Sequence, residues 1–318
     1  MQKTIALWGP LLVFVAAALW ATDAPFRVHL TQGLASTFIV LGEHLVSCVV
    51  AVPILLYNWG DLKKISGREW LAILFIGVCG SALAAVAFTE SFHYVNPSVS
   101  ILLQKVQPLI AIVLAWVLLG EPLHKNFWTW TLLALFGAYL VSFPSLVPQT
   151  YAGETFNPDL MGAALALAAA TLWGASTVFG KYVLRDTAFQ TLTSLRFVVG
   201  LMFLVLLNAA QGTFPAASTI TETDVLFIVI IAFTSGVFSL FLYYYGLQFT
   251  RASIATIAEL GFPLAAVFVN AYFIPGNQVS GAYLGLYVGQ WVGTALLLIA
   301  MFMLSRVNRE VLAEETRS

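Results

Sequence analysis

Charged side chains are scarce in this chain of 318 residues. They make up 9% of the sequence, whereas soluble domains contain roughly 25%. Apolar residues take their place and reach 60%. Because so few charges cannot cover the surface of a water-soluble globule of this length, the composition predicts a membrane protein.

Cysteine and histidine are also rare. Cys48 and Cys79 both lie in apolar runs, which predicts small buried side chains and not a disulfide framework. The four histidines are scattered, and neither a His-Glu metal spacing nor a nucleophile motif is present. The sequence also lacks a Gly-rich phosphate loop, so ATP is not expected to drive it directly. We therefore expect no enzyme activity, no metal, no cofactor and no nucleic-acid partner.

Long apolar runs fill most of the chain. A membrane-spanning helix needs about 20 mostly apolar residues, and such runs predict an all-α integral membrane protein of about ten helices. The linkers are mostly too short to fold alone. The predicted spans are 5–23, 36–57, 70–91, 97–119, 127–143, 160–180, 189–208, 224–246, 253–273 and 281–304.

The N-terminus has some features of a secretory signal peptide, since Lys3 precedes an apolar run that ends at Ala21-Thr22-Asp23-Ala24. However, Leu19-Trp20-Ala21 recurs later as Leu172-Trp173-Gly174. We therefore expect the first run to be retained as one copy of a repeat.

Basic residues predict the orientation, because Lys and Arg in short loops stay on the cytoplasmic side. With the N-terminus inside, eleven of the 14 basic residues fall in inner segments and Arg27 is outside. Both termini are thus predicted to be cytoplasmic in a multi-pass protein of the inner (plasma) membrane. The inner residues are Lys3, Lys63, Lys64, Arg68, Lys125, Lys181, Arg185, Arg251, Arg306, Arg309 and Arg317.

The two halves of the chain look related. Beyond the Leu-Trp motifs, Gln104 and Pro108 match Glu259 and Pro263 at one constant offset. Five spans per half is an odd number, so the second copy is predicted to enter the bilayer from the opposite face. The expected units are a first five-helix repeat over 1–148, a second over 158–308 and a cytoplasmic tail over 309–318.

Three motifs carry a resemblance to a known family. They are Leu172-Trp173-Gly174, the stretch from Gln104-Lys105-Val106-Gln107-Pro108 to Gly120-Glu121-Pro122, and Tyr243-Tyr244-Tyr245-Gly246 before Ala252-Ser253. With them the chain resembles the EamA type of the drug/metabolite transporter superfamily over about residues 5–305. The resemblance implies two inverted five-helix repeats around a central cavity, and transport of amino acids, related metabolites or drugs, frequently as export.

The sequence departs from the family pattern in places. Pro275-Gly276-Asn277 stands where the first repeat has Gly120-Glu121-Pro122, so the second loop lacks the acid. Lys105 and Glu259 are not general features of the family. These differences leave the subfamily and the substrate open.

Charges deep in a membrane are costly and usually face a cavity or a partner. Four such residues are Glu43, Lys105, Arg196 and Glu259. Through the repeat, Gln104 is equivalent to Glu259, so we expect Lys105 and Glu259 to meet at a midplane substrate site. The alternative is a permanent ion pair. The other expected substrate-binding residues are Ser100, Gln104, Gln107 and Thr256, with the aromatic residues Trp20, Trp173 and Tyr244.

Glu43, His44 and Arg196 lie at similar predicted depths. His44 is a candidate proton relay, since histidine titrates near neutral pH. A helix-packing hydrogen bond or a Glu43–Arg196 ion pair is the alternative. Glycines at 281, 285, 289 and 293 predict close helix packing, within the molecule or in a homodimer.

The sequence thus predicts a secondary transporter that works by alternating access in the lipid bilayer. Its substrate is expected to be a small metabolite, an amino acid or a related zwitterion or amine, with proton coupling and export favoured. A passive facilitator, a multidrug exporter of lipophilic cations, and a receptor or assembly factor that does not transport are the alternatives.

Overall fold

The computed structural model describes residues 2–95, 97–121, 123, 126–142, 160–273 and 288–315. Within these ranges the chain is helical and contains no strand. Several features named above fall outside the described residues. They are Lys125, the linker between the halves, Pro275-Gly276-Asn277, Gly281, Gly285 and the last three residues.

The described residues form ten apolar helical stretches, eight of them long and apolar enough to cross a membrane and two shorter. The prediction of an all-α membrane protein with about ten helices is confirmed. The helices are α1 (Gln2–Trp20), α2 (Ser36–Tyr57), α3 (Gly67–Ser91), α4 (Pro97–Leu103 and Gln107–Leu119), α5 (Phe127–Ser142), α6 (Leu160–Val183), α7 (Phe189–Gln211), α8 (Glu222–Gln248), α9 (Ala252–Ala258 and Gly261–Phe273) and α10 (Val288–Glu315).

The first span is longer than predicted. After α1 the chain makes a turn and continues as a short helix, Ala24–Leu30, with Pro25 in its first turn. A proline is tolerated there because the first helical N–H groups have no partner within the helix. As a result Arg27, predicted to lie in an outer loop, is 5% exposed and buried in the bundle.

The last helix also differs from the prediction, which ended the span at 304 and placed a tail at 309–318. Instead, α10 continues to Glu315. Leu304, Val307 and Val311 are all buried and share one face of the helix at spacings of three and four. Asn308 lies between them and accepts a hydrogen bond from the Arg251 N–H (3.1 Å), so this extension packs on the link between α8 and α9.

Two helices are interrupted at equivalent positions of the two halves. In α4 a 3₁₀ segment, Gln104–Val106, separates the two α-helical pieces. In α9 a turn at Glu259–Leu260 does the same. Gln104 and Glu259 are the two residues that the repeat aligns, so these breaks support the predicted duplication.

A second irregularity occurs in both halves. The middle of α3 is a π-helix over Ile76–Leu83, and the middle of α8 is a π-helix over Ala232–Phe238. Such stretches are rare in proteins and often occur at functional sites. Both of these face the interior cavity described below.

The two halves interlock. Helix α3 of the first half packs on α6 and α7 of the second, while α8 of the second half packs on α1 and α2 of the first. Helices α5 and α10 pair tightly, because a methyl group at Gly293 would lie 2.6 Å from the Gly137 carbonyl oxygen. The glycine face of α10 is thus used within the molecule at Gly293. The homodimer stays a prediction.

Glu121, from the Gly-Glu motif after α4, supports the start of α9. Its carboxylate accepts hydrogen bonds from the backbone N–H groups of Ala252 (2.8 Å) and Ser253 (3.0 Å), and from the Ser253 hydroxyl (2.7 Å). The first N–H groups of a helix have no partner inside it and carry partial positive charge, so a carboxylate is a good cap. The motif therefore joins the fourth and ninth helices.

Candidate functional site

A cavity lies at the centre of the bundle, with about 980 Å³ of space free of atoms when its opening is included. Side chains from eight helical stretches line it, namely α1 to α4 and α6 to α9. Among the described residues, α5 and α10 do not reach it. Because both halves contribute, the cavity lies where the repeat predicts a site.

Glu259 lies at the break in α9, which turns its side chain into this cavity. Its carboxylate accepts hydrogen bonds from the hydroxyls of Tyr243 (2.7 Å) and Thr177 (3.1 Å) and from the Gln107 amide. All three donors are neutral, so the carboxylate is held in place without a bound cation among the described contacts. Glu259 and Gln107 meet as expected for one site.

Arg196, on α7, lies at another wall of the same cavity. Its guanidinium donates to Tyr244 Oη (2.9 Å), Ser81 Oγ (3.1 Å) and the Gly80 carbonyl (3.3 Å). Tyr244 is thus placed beside the cation, and its neighbour Tyr243 beside the Glu259 acid.

One alternative for Glu43, an ion pair with Arg196, is wrong. Glu43 pairs instead with Arg27 (2.8 Å), which also pairs with Asp23 (2.9 Å) and donates to Thr89 Oγ1 (2.8 Å). The prediction failed because it placed Arg27 outside the bundle. The cluster ties α2 and α3 to the segment that follows α1.

His44 is hydrogen bonded within the protein in this structure. Its Nδ1 lies 2.9 Å from the Val40 carbonyl oxygen and its Nε2 lies 2.9 Å from Ser81 Oγ. Since a carbonyl only accepts, Nδ1 carries the hydrogen, and Nε2 of the neutral ring accepts from Ser81. These contacts fit the packing role, and the proton relay stays a prediction.

Lys105 and Glu259 both line a second, smaller cavity, with Gln104 and Thr256. The hydrogen bonds of Glu259 named above come from neutral groups. A substrate site shared by Lys105 and Glu259 stays a prediction, as does the alternative of a permanent ion pair.

Ser100 lies apart from both cavities. It is fully buried, and its hydroxyl lies 2.6 Å from Ser91 Oγ, so it joins α3 to α4.

Three buried polar atoms at the cavity walls have no hydrogen-bond partner among the described residues, namely Thr256 Oγ1, Gln104 Oε1 and Ser176 Oγ. Buried polar groups are normally satisfied, so these atoms are candidates for contact with a polar ligand.

Two tryptophans from equivalent positions line the central cavity. The Trp20 ring lies 5.3 Å from the Tyr243 ring, and the Trp173 ring lies 5.3 Å from the Phe88 ring. Each is thereby supported by an aromatic neighbour from the opposite half. The arrangement provides flat apolar faces next to the polar groups at Glu259.

Sequence reasoning missed Thr177 and Ser81. Single Ser and Thr residues in apolar helices are common and carry little signal. For Thr177 a signal existed, because it follows Trp173 by four residues and so shares its helix face. For Ser81 none did, since the π-helix changes the register of α3.

The chain is similar to known transporters over almost its whole length. A family model described as the EamA-like transporter family matches residues 7–143 and again 160–306. The riboflavin transporter ImpX of Fusobacterium nucleatum is 31% identical over 308 residues, which cover 94% of this chain and 98% of that protein. The uncharacterized transporter YwfM of Bacillus subtilis is 21% identical, covering 94% of each chain.

A solved crystal structure has the same fold. It superposes with a TM-score of 0.72 at 16% identity, covering 95% of this chain and 98% of the other.

Proposed function

Because the chain belongs to the EamA-like transporter family, we propose that its central cavity carries a flat heteroaromatic metabolite with a hydrogen-bonding edge, and that riboflavin is the first substrate to test. The observation that carries the proposal is the combination of two tryptophan faces with the polar groups around Glu259 in one cavity. The name of the relative from Fusobacterium nucleatum points to the same ligand class.

The lining of the cavity suits such a ligand. Small-molecule sites typically combine aromatic walls with a few polar groups that orient the ligand. Trp20 and Trp173 supply aromatic faces, while Gln107 and Glu259 supply donors and acceptors. A flavin ring presents both kinds of surface, since it is flat and carries N–H and carbonyl groups at one end.

An amino acid is the second candidate, as expected from the sequence. It is favoured by the presence of Arg196 and Glu259 on the walls of one cavity, where they offer opposite charges to a zwitterion. The first reason for it, an ammonium from Lys105 facing Glu259, stays a prediction, and both residues line the smaller cavity. Alternating access, proton coupling through Glu259, and export are further parts of the proposal.

Counterflow in proteoliposomes tests the substrate. Vesicles preloaded with riboflavin should take up labelled riboflavin, and a panel of unlabelled amino acids, amines and nucleobases should compete poorly. Counterflow works for facilitators and coupled carriers alike, so it does not depend on the energy source. Absence of riboflavin uptake, together with uptake of a labelled amino acid by vesicles preloaded with that amino acid, would reject the flavin proposal in favour of the second candidate.

A tryptophan variant tests the site. Trp173→Ala should raise the half-saturating riboflavin concentration about tenfold, because stacking on one aromatic face contributes roughly 1–3 kcal/mol. Trp173→Phe should keep most of the affinity. The matched control is Trp128→Ala, since Trp128 is exposed on α5, away from the cavity. Equal effects of the two alanine variants would contradict the site.

A further inference from the structure

Arg196 is a buried cation that faces the central cavity and has neutral partners. Its residue is 8% exposed, and its three hydrogen bonds go to Tyr244, Ser81 and the Gly80 carbonyl. Among the described residues it makes no ion pair, and Glu43 is paired with Arg27 instead. The Glu259 carboxylate lies on the wall of the same cavity but accepts its hydrogen bonds from neutral groups. A buried guanidinium with only neutral hydrogen-bond partners has a strong preference for an electron-rich ligand.

The protein holds this guanidinium in one orientation. Arg196 Nε–H donates to Ser81 Oγ, Ser81 donates to His44 Nε2, and His44 Nδ1–H donates to the Val40 carbonyl. The hydrogen bonds run in one direction from α7 through α3 to α2. His44 is thus a positioning residue that keeps Ser81 turned to accept from the arginine.

The π-helix in α3 contributes the third contact. Gly80 lies within this stretch, and its carbonyl oxygen accepts from Arg196 Nη2 at 3.3 Å. A side chain at this position would collide with α6, because a methyl group at Gly80 would lie 1.7 Å from Ser176 Oγ. Close approach of α3 and α6 therefore requires glycine here.

Two N–H groups of Arg196 remain for a ligand. A guanidinium has five N–H groups, and the protein uses one on Nε, one on Nη1 and one on Nη2. Each terminal nitrogen keeps one. Arginine binds oxygen acceptors through such N–H groups more strongly than neutral donors do.

We propose that Arg196 binds the carbonyl-bearing pyrimidine edge of a flavin and makes the cavity selective for flavins over flat ring systems that lack carbonyl groups. The inference rests on the proposed function, because it assumes that the cavity binds a flavin. Trp20 and Trp173 would then stack on the faces of the flavin ring, while Arg196 donates hydrogen bonds to its carbonyl oxygens. No chemical change of the ligand is involved.

Binding to the purified carrier tests the inference with two probes. Lumiflavin has the flavin ring and its carbonyls without the sugar chain, whereas phenazine is a flat tricycle without carbonyls. Arg196→Gln should weaken lumiflavin binding about tenfold or more, because a hydrogen bond to a charged group is lost, and should leave phenazine binding within about twofold by the same argument. The lumiflavin affinity of Arg196→Lys should be intermediate, since lysine keeps the positive charge but lacks the paired N–H groups of the guanidinium.

The control is Arg306→Gln, which removes an exposed arginine on α10 and should change neither affinity. Equal lumiflavin affinities for wild type and Arg196→Gln would overturn the inference, as would parallel loss of both probes. If phenazine binds too weakly to measure, Arg196→Lys replaces it as the comparison. A lumiflavin affinity of Arg196→Lys between those of wild type and Arg196→Gln supports the inference, and equal affinity losses in the two variants overturn it.

Failure of the proposed function gives a different result. In that case wild-type carrier binds neither riboflavin nor lumiflavin, and both proposals fall. Riboflavin counterflow by wild type together with full lumiflavin affinity in Arg196→Gln rejects the role of Arg196 alone.

Discussion

Glu259 is a carboxylate surrounded by hydrogen-bond donors at the break of a membrane helix. Tyr243, Thr177 and Gln107 all donate to it, so neutral groups stabilise its negative charge. An acid held in this way keeps its position when its charge changes, because hydroxyls and amides can reorient. Such an arrangement suits the proton coupling proposed above.

Glu259→Gln is therefore expected to abolish the coupling of transport to the proton gradient while riboflavin exchange continues. The amide keeps the shape and one acceptor oxygen but has no exchangeable charge, so counterflow of riboflavin should persist. Accumulation driven by an imposed pH gradient should fall to the level seen without a gradient. Both can be measured in the same proteoliposomes.

Asp61→Asn is the matched control for this experiment. Asp61 lies outside the membrane helices, and the hydrogen bond from Lys64 (2.7 Å) lowers the pKa of its carboxyl. It stays ionised at the pH values of the assay, so its removal should leave gradient-driven accumulation unchanged. Gradient-driven accumulation by Glu259→Gln at the wild-type level would refute coupling at this residue.

At the residue scale, the sequence identified which ionisable groups lie deep in the membrane but not which of them meet. Glu259, Arg196 and Glu43 all line the central cavity, as their depth suggested. Their pairing was wrong for Glu43, because its true partner lies on a helical segment that was assigned to a loop. Depth along a helix is readable from sequence, whereas pairing depends on the path of the chain between helices.

At the scale of helices, the span limits were largely predictable and the irregularities were not. The limits of α2 agree with the prediction because turn residues flank a continuous apolar run. The 3₁₀ segment in α4 is different. With about 3.0 residues per turn instead of 3.6, three residues rotate the following face by about 60°. A straight-helix projection therefore misplaces Lys105 relative to Gln107.

Neither the carboxylate nor the N–H group that form the cap of α9 has an equivalent in the sequence for α4, the corresponding helix of the other half. In α9 the backbone N–H of Ala252 needs an acceptor, and Glu121 provides it. The equivalent position of the first half is Pro97, which has no N–H, and the loop that would supply the acid there has Pro275-Gly276-Asn277 instead. The helix that begins with proline, and so lacks the N–H donor, is thus also the helix whose equivalent loop has no acid in the sequence.

Glu121→Ala should destabilise the carrier by about 1–2 kcal/mol, the usual cost of losing a helix cap, and lower its melting midpoint in detergent by a few degrees. Ala252→Pro should reduce this cost, because it removes one of the N–H groups that Glu121 satisfies. Proline is suitable at the first helical position, and Arg251 already has the extended backbone that precedes proline (ψ 145°).

Melting of the four proteins in this double-mutant cycle measures the coupling directly. The comparison remains informative even if Ala252→Pro is itself destabilising. An equal cost of Glu121→Ala with Ala252 and with proline at that position would contradict the capping role.

At the scale of the whole molecule, the interlocked halves explain why eight helical stretches reach one cavity. Helices α3 and α8 each pack into the opposite half, while α5 and α10 pair with each other at the Gly137–Gly293 crossing. The duplication was visible in the sequence through short motifs. The packing of α3 and α8 on the opposite halves could not be predicted, since contacts between helices distant in sequence leave no pattern in a single sequence.

The orientation of this bundle in the membrane is a prediction from the charge distribution, and single cysteines can test it. Gly60 and Ser218 are exposed residues in linkers that the charge distribution places on opposite sides, with Gly60 inside and Ser218 outside. Right-side-out vesicles of the plasma membrane should therefore react with a membrane-impermeant maleimide at Ser218→Cys. Gly60→Cys should react only after permeabilisation. The unmodified protein is the blank for Cys48 and Cys79, and the reverse labelling pattern would show that both termini face outward.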